Sequence, residues 1–357
     1  MTIPSHAKNR LPRWRGFNLL EMFVWEPGRE QIAAGDAADF RESDFLHIRD
    51  FGFDFVRIPM DYRFWTQRES ATGAWTYHEP ALRRIDRLVA LGRQYGLHVS
   101  LNFHHAPGYC VNVPQSEWTL WTEPAAQGMF AAQWNMFAQR YREVPSELLS
   151  FDLLNEPPEV SALGGLTNGM TRANHERVIR AAVAAIRMAD PQRRVMANGI
   201  SYGNEPVEEI VDLAHLETGW VGQSCRAYLP FDVSHYQAPW VKYDFPLTAR
   251  WPGAEHFGTM FDVAKLESHY GKWVALIERG VGVHCGEGGA YSRTPHDVAL
   301  AWYGDVLKIL RRHDIGSALW NFRGDFGILD SKRSDVAYED FHGSKLDRQY
   351  LELLQAW

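Results

Sequence analysis

Short apolar runs alternate with amphipathic segments along this chain. An apolar run of about four to eight residues bounded by turn formers indicates a buried strand, whereas apolar positions three and four residues apart indicate a helix. The runs predict eight strands, at residues 15–20, 53–60, 98–105, 148–156, 193–198, 231–237, 281–287 and 317–322. The segments between them predict helices, at residues 40–50, 79–96, 126–144, 171–189, 207–217, 259–279, 298–312 and 347–357.

Eight pairs of strand and helix predict a closed barrel. Strands that alternate with helices are typical of a parallel sheet, and eight of them close it into a TIM (β/α)8 barrel. The turns from strand to helix are long, at residues 21–39, 106–125, 238–258 and 323–346, whereas the turns from helix to strand are short. Long loops at the carboxyl ends of the strands are where barrel enzymes have their active sites. We expect an α/β fold in which residues 1–357 form one barrel domain.

Composition and charge argue against several kinds of partner. Of the 357 residues, 45% are hydrophobic and 23% charged, which is ordinary for a globular protein with a large core. The formal net charge is -7 without a block of like charges, so we expect no nucleic-acid partner and no membrane partner. The longest apolar run, residues 181–186, is too short to cross a bilayer. These features favour an uncharged ligand.

Cysteine usage and the N-terminal residues bear on location. Cys110, Cys225 and Cys285 are an odd number without metal-type spacing, which argues against a disulfide framework and favours a reducing compartment. The first residues are basic and lack an apolar segment, so we expect no secretion signal in this chain. The protein then either stays inside the cell or has already lost a leader.

Two of the predicted strands end in a glutamate. Glu156 ends the strand at residues 148–156, and Pro157 after it cannot continue a strand ladder. Glu287 ends the strand at residues 281–287 and is followed by two glycines. Glycoside hydrolysis requires a carboxylic acid and a carboxylate on opposite sides of the scissile bond. The two glutamates are therefore the candidate catalytic pair.

Five further side chains lie at predicted strand ends and are candidates for substrate binding. They are Arg57, His104, Asn155, Tyr236 and Trp320. In a barrel, the carboxyl ends of the strands converge on one mouth. A cation, an imidazole, an amide, a phenol and an indole in that place are hard to explain as packing.

Together these residues resemble glycoside hydrolase family 5, the cellulase family. The motifs are Val-Arg-Ile-Pro at Arg57, His-His-Ala-Pro-Gly at His104, Asn155-Glu156-Pro157, Tyr236, Gly-Glu-Gly-Gly at Glu287 and Leu-Trp-Asn-Phe at Trp320. They follow the family's order and span almost the whole chain. Each motif alone is weak, but the ordered set is specific.

The resemblance implies a retaining mechanism that needs no metal or other cofactor. Glu156 would be the general acid and base, and Glu287 the nucleophile. Retention requires the two carboxyl groups to be about 5 to 5.5 Å apart. By the same resemblance, Arg57 and Tyr236 would favour the ionised form of Glu287.

Two more roles follow from the resemblance. Asn155 would bind the sugar 2-hydroxyl, and Trp320 would form the floor beneath the sugar that is cleaved. The family commonly has His, any residue and Tyr on strand six, whereas Ser234 stands at the histidine position here. Strand alternation places Ser234 and Tyr236 on one face and His235 on the other, so Tyr236 is assigned to the site and His235 is not.

Structural readings of the same residues remain open. Glu156 alone could be an ion-paired acid, and the tripeptide Asn204-Glu205-Pro206 repeats its motif in a setting that indicates a helix start. A metal at His104 is not expected, because its neighbour His105 faces the other way on a strand and no third ligand follows at suitable spacing. Trp240 and Trp251 fit loop packing or distal sugar binding equally well.

The sequence thus predicts a β-glycoside hydrolase whose substrate is a β-glucan or its oligosaccharides. Alternatives are a related enzyme for mannan, a furanoside or another glycan, and a barrel that binds carbohydrate without turnover. A phosphate-binding barrel fits less well, because the loops after strands seven and eight lack the glycine pattern and short helix of such sites. Endo or exo action and oligomeric state do not follow from the sequence.

Overall fold

Eight parallel strands close into a barrel in the computed structural model, which describes residues 8–68, 74–112, 118–158, 169–242, 248–256 and 258–357. The strands are β1 (Arg15–Asn18), β2 (Phe55–Asp61), β3 (His98–Ala106), β4 (Leu149–Asp152), β5 (Arg194–Asn198), β6 (Val221–Ala227), β7 (Val283–Gly288) and β8 (Gly316–Leu319). Their order in the sheet is β2-β1-β8-β7-β6-β5-β4-β3, and β3 also pairs with β2. The expected TIM (β/α)8 barrel is confirmed.

Burial explains why these segments form strands. All residues of β2 and β3 are buried, as is typical of parallel strands that are covered by helices. Their register starts with Phe55 opposite His98 and shifts between Met60 and Asp61. β4 ends at Asp152, so the chain leaves the sheet before it reaches Glu156.

The sixth strand lies elsewhere than predicted. We expected it at residues 231–237, but Phe231–Ser234 form one helical turn and β6 lies earlier in the chain. Pro230 is the N-cap of this turn, and its carbonyl accepts the backbone N–H of Ser234 at 3.1 Å. Proline has no N–H for a strand ladder and favours the start of a helix, which is why the prediction was wrong.

The helices that cover the barrel lie near their predicted positions. Glu79–Tyr95 has a proline in its first turn and ends at Gly96, whose φ of 69° suits glycine. Glu208–His215 form a 3-10 helix where we expected an α-helix. The other long helices are Glu42–Asp50, Pro124–Arg140, Arg172–Ala189, Val263–Glu278, His296–Arg312 and Arg348–Ala356. Across the described part of the chain, no helix combines the length and apolar character that a membrane span requires.

Aromatic packing joins helix Pro124–Arg140 to the strands. Trp134 stacks on Phe103 of β3 with ring centroids 4.0 Å apart. The indole N–H of Trp134 donates to the carbonyl of Leu153 at 3.2 Å. The helix thus supports the segment that runs from β4 towards Glu156.

The chain divides into two compact units. One comprises Met1–Asn18 and Cys225–Trp357, and the other comprises Leu19–Ser224. Glu287 belongs to the first unit and Glu156 to the second. The expectation that residues 1–357 form a single domain stays a prediction.

Candidate active site

Glu287 is a buried carboxylate near the end of β7, with 3% of its surface exposed. Its Oε1 lies 3.2 Å from Nη2 of Arg226, and its Oε2 accepts a hydrogen bond from the hydroxyl of Tyr228 at 3.1 Å. Arg226 lies in β6, Tyr228 follows that strand, and both are buried. A guanidinium is permanently charged and a phenol hydroxyl donates, so each carboxylate oxygen of Glu287 has a partner that complements negative charge. This environment suits a nucleophile that must remain an anion.

Gly288 allows the end of β7 to pack closely. A Cβ on Gly288 would lie 2.7 Å from the Cβ of Ala227 and 2.9 Å from the hydroxyl of Tyr303. The carbonyl of Gly288 accepts the backbone N–H of Trp320 at 2.8 Å, which joins the ends of β7 and β8. Trp320 is half-buried, and its expected role beneath the sugar stays a prediction.

Tyr228 contacts Glu287, and the strand-end position expected for Tyr236 is wrong. Tyr236 lies in the turn that follows the Phe231–Ser234 helical turn. The side chain of Ser234 belongs to the same turn, because its hydroxyl donates to the carbonyl of Tyr228. Ser234 and Tyr236 therefore do not share a strand face. Substrate binding by Tyr236 stays a prediction.

His235 packs behind Tyr228. The two ring centroids are 5.1 Å apart, and Nδ1 of His235 lies 2.8 Å from the hydroxyl of Ser234. Burial lowers the pKa of His235 to about 4, so its ring is neutral near pH 7. A neutral imidazole beside Tyr228 adds no charge near Glu287.

Glu156 lies in an irregular segment whose main chain is bonded at both ends. Its N–H donates to Oδ1 of Asn198 at 3.1 Å, and its carbonyl accepts the hydroxyl of Tyr109 at 2.6 Å. Its φ is 46°, in the left-handed region that residues other than glycine rarely adopt. Such a conformation costs about 1 to 3 kcal/mol, persists only where the surroundings impose it, and is concentrated at functional sites.

Hydrogen bonds from Tyr109 and from the segment at residues 201–202 hold the main chain around Glu156. Burial raises the pKa of the Tyr109 hydroxyl well above its ordinary value, so this group remains a hydrogen-bond donor. Beyond Glu156, the carbonyl of Pro157 accepts the N–H of Tyr202 at 2.9 Å, and the carbonyl of Pro158 accepts the N–H of Ser201 at 3.3 Å. The neighbouring segments therefore fix the main chain around Glu156 and, with it, the direction of the Glu156 side chain.

A buried polar network connects β2, β4 and β5 beneath Glu156. Nε of Arg57 lies 2.7 Å from Oδ2 of Asp152, and Nη2 of Arg57 donates to Oδ1 of Asn155 at 2.9 Å. The other carboxylate oxygen of Asp152 accepts the amide of Asn198, which in turn accepts the N–H of Glu156. Arg57 thus orients Asn155, while its expected effect on Glu287 stays a prediction.

His104 is buried at the end of β3. Its Nε2 lies 2.6 Å from Oδ1 of Asn112, and its ring meets the ring of Phe23 edge to face at a centroid distance of 4.4 Å. The neighbouring His105 has another partner, with Nδ1 3.4 Å from Oδ2 of Asp61. Among the described residues, no group of three or more His, Cys, Asp or Glu side chains is arranged to hold a metal.

The surroundings of four other residues are also defined. Trp251 donates its indole N–H to Asp305 at 3.0 Å, which favours loop packing, whereas Trp240 exposes 56% of its surface. Cys285 is buried, and its Sγ lies 3.3 Å from the carbonyl of Glu287, as a small core residue would. Glu205, in the second Asn-Glu-Pro, lies 3.5 Å from Nη2 of Arg172 as one half of an ion pair.

Comparison with known proteins bears on the identity of this site. A family model described as Cellulase (glycosyl hydrolase family 5) matches residues 31–325. The chain belongs to glycosyl hydrolase family 5. It is 29% identical over 322 residues to Endoglucanase C of Acetivibrio thermocellus, and the alignment covers 84% of this chain and 88% of that protein. It is 23% identical over 284 residues to Cellodextrinase A of Ruminococcus flavefaciens, and the alignment covers 77% of this chain and 76% of that protein.

Solved structures agree with this membership. A crystal structure of a glycoside hydrolase matches with a TM-score of 0.85 at 37% identity and covers 96% of this chain and 99% of that one. The endoglucanase Cel5A of Thermotoga maritima has the same fold, with a TM-score of 0.71 at 21% identity over 96% of both chains. This member of family 5 is therefore a glycoside hydrolase.

The family's His-any-Tyr pattern has a modified counterpart at the end of the observed β6. The segment Arg226-Ala227-Tyr228 has the tyrosine in place but an arginine where the histidine is common. Two signals could have located it. Pro230 marks the end of a strand, and a strand at residue 231 would leave a far longer turn after the helix Glu208–His215 than the short helix-to-strand turns elsewhere.

Proposed function

We propose that this protein is a retaining β-glycoside hydrolase acting on β-glucan chains or their oligosaccharides, with Glu287 as nucleophile and Glu156 as general acid and base. The observation that supports the proposal most directly is the pairing of buried Glu287 with Arg226 and Tyr228. A nucleophilic carboxylate has to be ionised before the substrate arrives. Glu287 has a cation at one carboxylate oxygen and a hydroxyl donor at the other, which are the partners that an anionic nucleophile requires.

In the proposed first step, a carboxylate oxygen of Glu287 attacks the anomeric carbon. The bond from that carbon to the leaving-group oxygen breaks, and this oxygen takes a proton from Glu156. In the second step, water attacks the anomeric carbon and gives a proton to Glu156. The bond to Glu287 breaks, and its electron pair returns to the carboxylate. The two inversions together retain the configuration, and side chains and water suffice for the chemistry.

The proposed substrate contacts follow from the supporting residues. Asn155, whose amide oxygen is occupied by Arg57, has an NH2 group that could donate to the sugar 2-hydroxyl, a bond that strengthens in the transition state. His104 and Trp320 would bind the sugar next to the scissile bond. Two relatives named endoglucanase and cellodextrinase favour a β-glucan over mannan or a furanoside as substrate.

Azide rescue tests both assignments on one aryl β-glycoside with a dinitrophenolate leaving group. We expect Glu287→Ala to lose turnover and to form an α-glycosyl azide when azide is added, because azide then attacks in place of the carboxylate. We expect Glu156→Ala to form a β-glycosyl azide, because azide replaces the activated water in the second step. Glu205→Ala is the matched control from the second Asn-Glu-Pro and should keep full activity.

The outcomes are distinct. Substantial activity of Glu287→Ala without azide, or exchange of the two product configurations, would refute the roles proposed here. A screen of the unmodified protein on β-glucan, mannan and xylan, with product lengths resolved, tests the substrate. Turnover confined to mannan or xylan would contradict the glucan assignment and leave the catalytic roles intact.

A further inference from the structure

Arg226 is a charged partner of Glu287 and belongs to the same unit. It exposes 1% of its surface, and Nη2 lies 3.2 Å from Oε1 of Glu287. Tyr228 occupies the other oxygen, so each carboxylate oxygen has its own donor. A buried guanidinium exerts a stronger electrostatic effect than one in water, because little solvent screens it. The chemistry of Glu287 should therefore depend on this arginine.

The backbone around Arg226 holds the guanidinium in a defined place. Its Nη1 donates to the carbonyl of Cys225 at 3.1 Å. Its own carbonyl accepts the hydroxyl of buried Tyr270 at 3.3 Å, from helix Val263–Glu278. A planar guanidinium that is fixed in this way retains one orientation while the charge of its partner changes.

We propose that Arg226 is a positioning residue that speeds the departure of Glu287 from the glycosyl-enzyme. This inference rests on the proposed function, in which Glu287 is the nucleophile. In the second step, water forms a bond to the anomeric carbon and gives a proton to Glu156. The bond between that carbon and Glu287 breaks, and the electron pair returns to the carboxylate beside Arg226.

The sign of the effect differs between the two steps. Before the first step Glu287 is fully charged, and it loses charge in the transition state, so Arg226 stabilises the ground state more. Before the second step Glu287 is a neutral ester, and it gains charge in the transition state, so Arg226 stabilises the transition state more. Only interactions that are stronger in the transition state accelerate a step. Loss of Arg226 should therefore slow the second step selectively.

The test compares Arg226→Gln with the unmodified enzyme on a dinitrophenyl β-glycoside, whose leaving group makes the first step fast. We expect kcat to fall about 10- to 100-fold, the range for one hydrogen bond to a charged group. KM should fall in parallel, because the glycosyl-enzyme accumulates, so kcat/KM should change by less than about threefold. A burst of dinitrophenolate equal to the enzyme concentration should precede the steady state.

Two further variants keep the test valid if Arg226→Gln does not fold. Arg226→Lys retains the charge and should show an intermediate kcat. Arg226→His places there a ring with an ordinary pKa of about 6.5, so its kcat relative to that of the unmodified enzyme should rise as pH falls from about 8 to 5. Taking this ratio removes the pH dependence that the two enzymes share.

Arg193→Gln is the matched control for loss of a buried arginine. Arg193 exposes 1% of its surface, and Nη2 lies 2.8 Å from Oδ2 of Asp190, at the amino end of β5. We expect this variant to lose stability but to keep the burst, kcat and KM of the unmodified enzyme.

The failure of this inference differs from the failure of the proposed function. If the unmodified enzyme turns over but the Arg226 variants keep its kcat and KM, as Arg193→Gln should, then Arg226 is merely structural and the inference is wrong. If kcat/KM falls as far as kcat, with KM unchanged, the arginine acts on the first step and the inference is wrong. If azide rescue assigns the nucleophile to another residue, the proposed function fails, and the inference fails with it.

Discussion

The two glutamates are fixed by different means. Glu287 is fixed through its carboxylate, which has a guanidinium on one oxygen and a tyrosine hydroxyl on the other. For Glu156, both the N–H and the carbonyl of the main chain are bonded, and its φ of 46° sets the direction of the side chain. One residue has a cation and a hydroxyl donor at its carboxylate, and the other has a backbone that defines the direction of its side chain.

This difference matches the roles proposed for the two residues. A nucleophile must remain an anion until it attacks, whereas a general acid and base gains and loses a proton in each cycle. Arg226 beside Glu287 suits the first role, and the main-chain bonds of Glu156 place its side chain for the second.

The largest expected effect is the loss of kcat/KM in the variant Glu156→Ala, which should depend on the leaving group of the substrate. We expect Glu156→Ala to lose about 10²- to 10⁴-fold in kcat/KM on aryl β-glycosides with poor leaving groups, because these need a proton in the transition state. On a dinitrophenyl glycoside the loss of kcat/KM should be small. Steady-state kinetics on a series of aryl glycosides measures how log(kcat/KM) depends on the pKa of the leaving phenol. An equal loss for all phenols would contradict the role of Glu156 as acid.

A matched pair of tyrosines tests the two environments. Tyr228→Phe removes a hydroxyl from a carboxylate, and Tyr109→Phe removes one from a main-chain carbonyl. Hydrogen bonds to charged groups contribute about 1.5 to 3 kcal/mol and neutral ones about 0.5 to 1.5 kcal/mol. We therefore expect kcat/KM to fall about 10- to 100-fold for Tyr228→Phe and by about tenfold or less for Tyr109→Phe. The reverse order would break the comparison.

The smallest expected effect concerns stability on the Glu287 side. Burial lowers the pKa of His235 to about 4, below the ordinary value of about 6.5 that applies to the unfolded chain. As pH falls from 6.5 towards 4 the unfolded chain binds the proton first, so the stabilising contribution is present above pH 6.5 and is lost over that range. Urea unfolding at pH 7 and pH 5 measures it.

The variant His235→Phe removes this titration. The fall in the free energy of unfolding between pH 7 and pH 5 should be smaller in the variant by about 1 to 2 kcal/mol. If the variant and the unmodified protein show the same fall, His235 does not titrate as its burial indicates.

The sequence predicted the strand-four side of the site better than the strand-six side. The run before Glu156 is apolar and ends at a proline, and a strand next to it is present. In β6, polar residues such as Gln223 and Ser224 interrupt the apolar pattern, although every residue of the strand is buried. In a closed barrel, buried positions can be polar when they are hydrogen-bonded, and Gln223 bonds to both the N–H and the carbonyl of Val207.

Contacts between distant segments could not be read from the sequence. Asp152 and Asn198 look like ordinary polar residues at the ends of β4 and β5, and only the fold connects them to Glu156. The same holds for Arg226, because the apolar pattern predicts the sixth strand at residues 231–237 and the observed strand lies at Val221–Ala227. Local pattern thus predicts which segment is a strand, whereas partners in a buried network depend on register and closure of the sheet.

Trapping the covalent intermediate tests the central claim most directly. A 2-deoxy-2-fluoro β-glucoside with a dinitrophenolate leaving group should label the enzyme once. The fluorine slows both steps, but the good leaving group keeps the first step faster than the second, so the glycosyl-enzyme accumulates. Peptide mass spectrometry should locate the label on Glu287. A label on Glu156 or on any other residue would contradict the account.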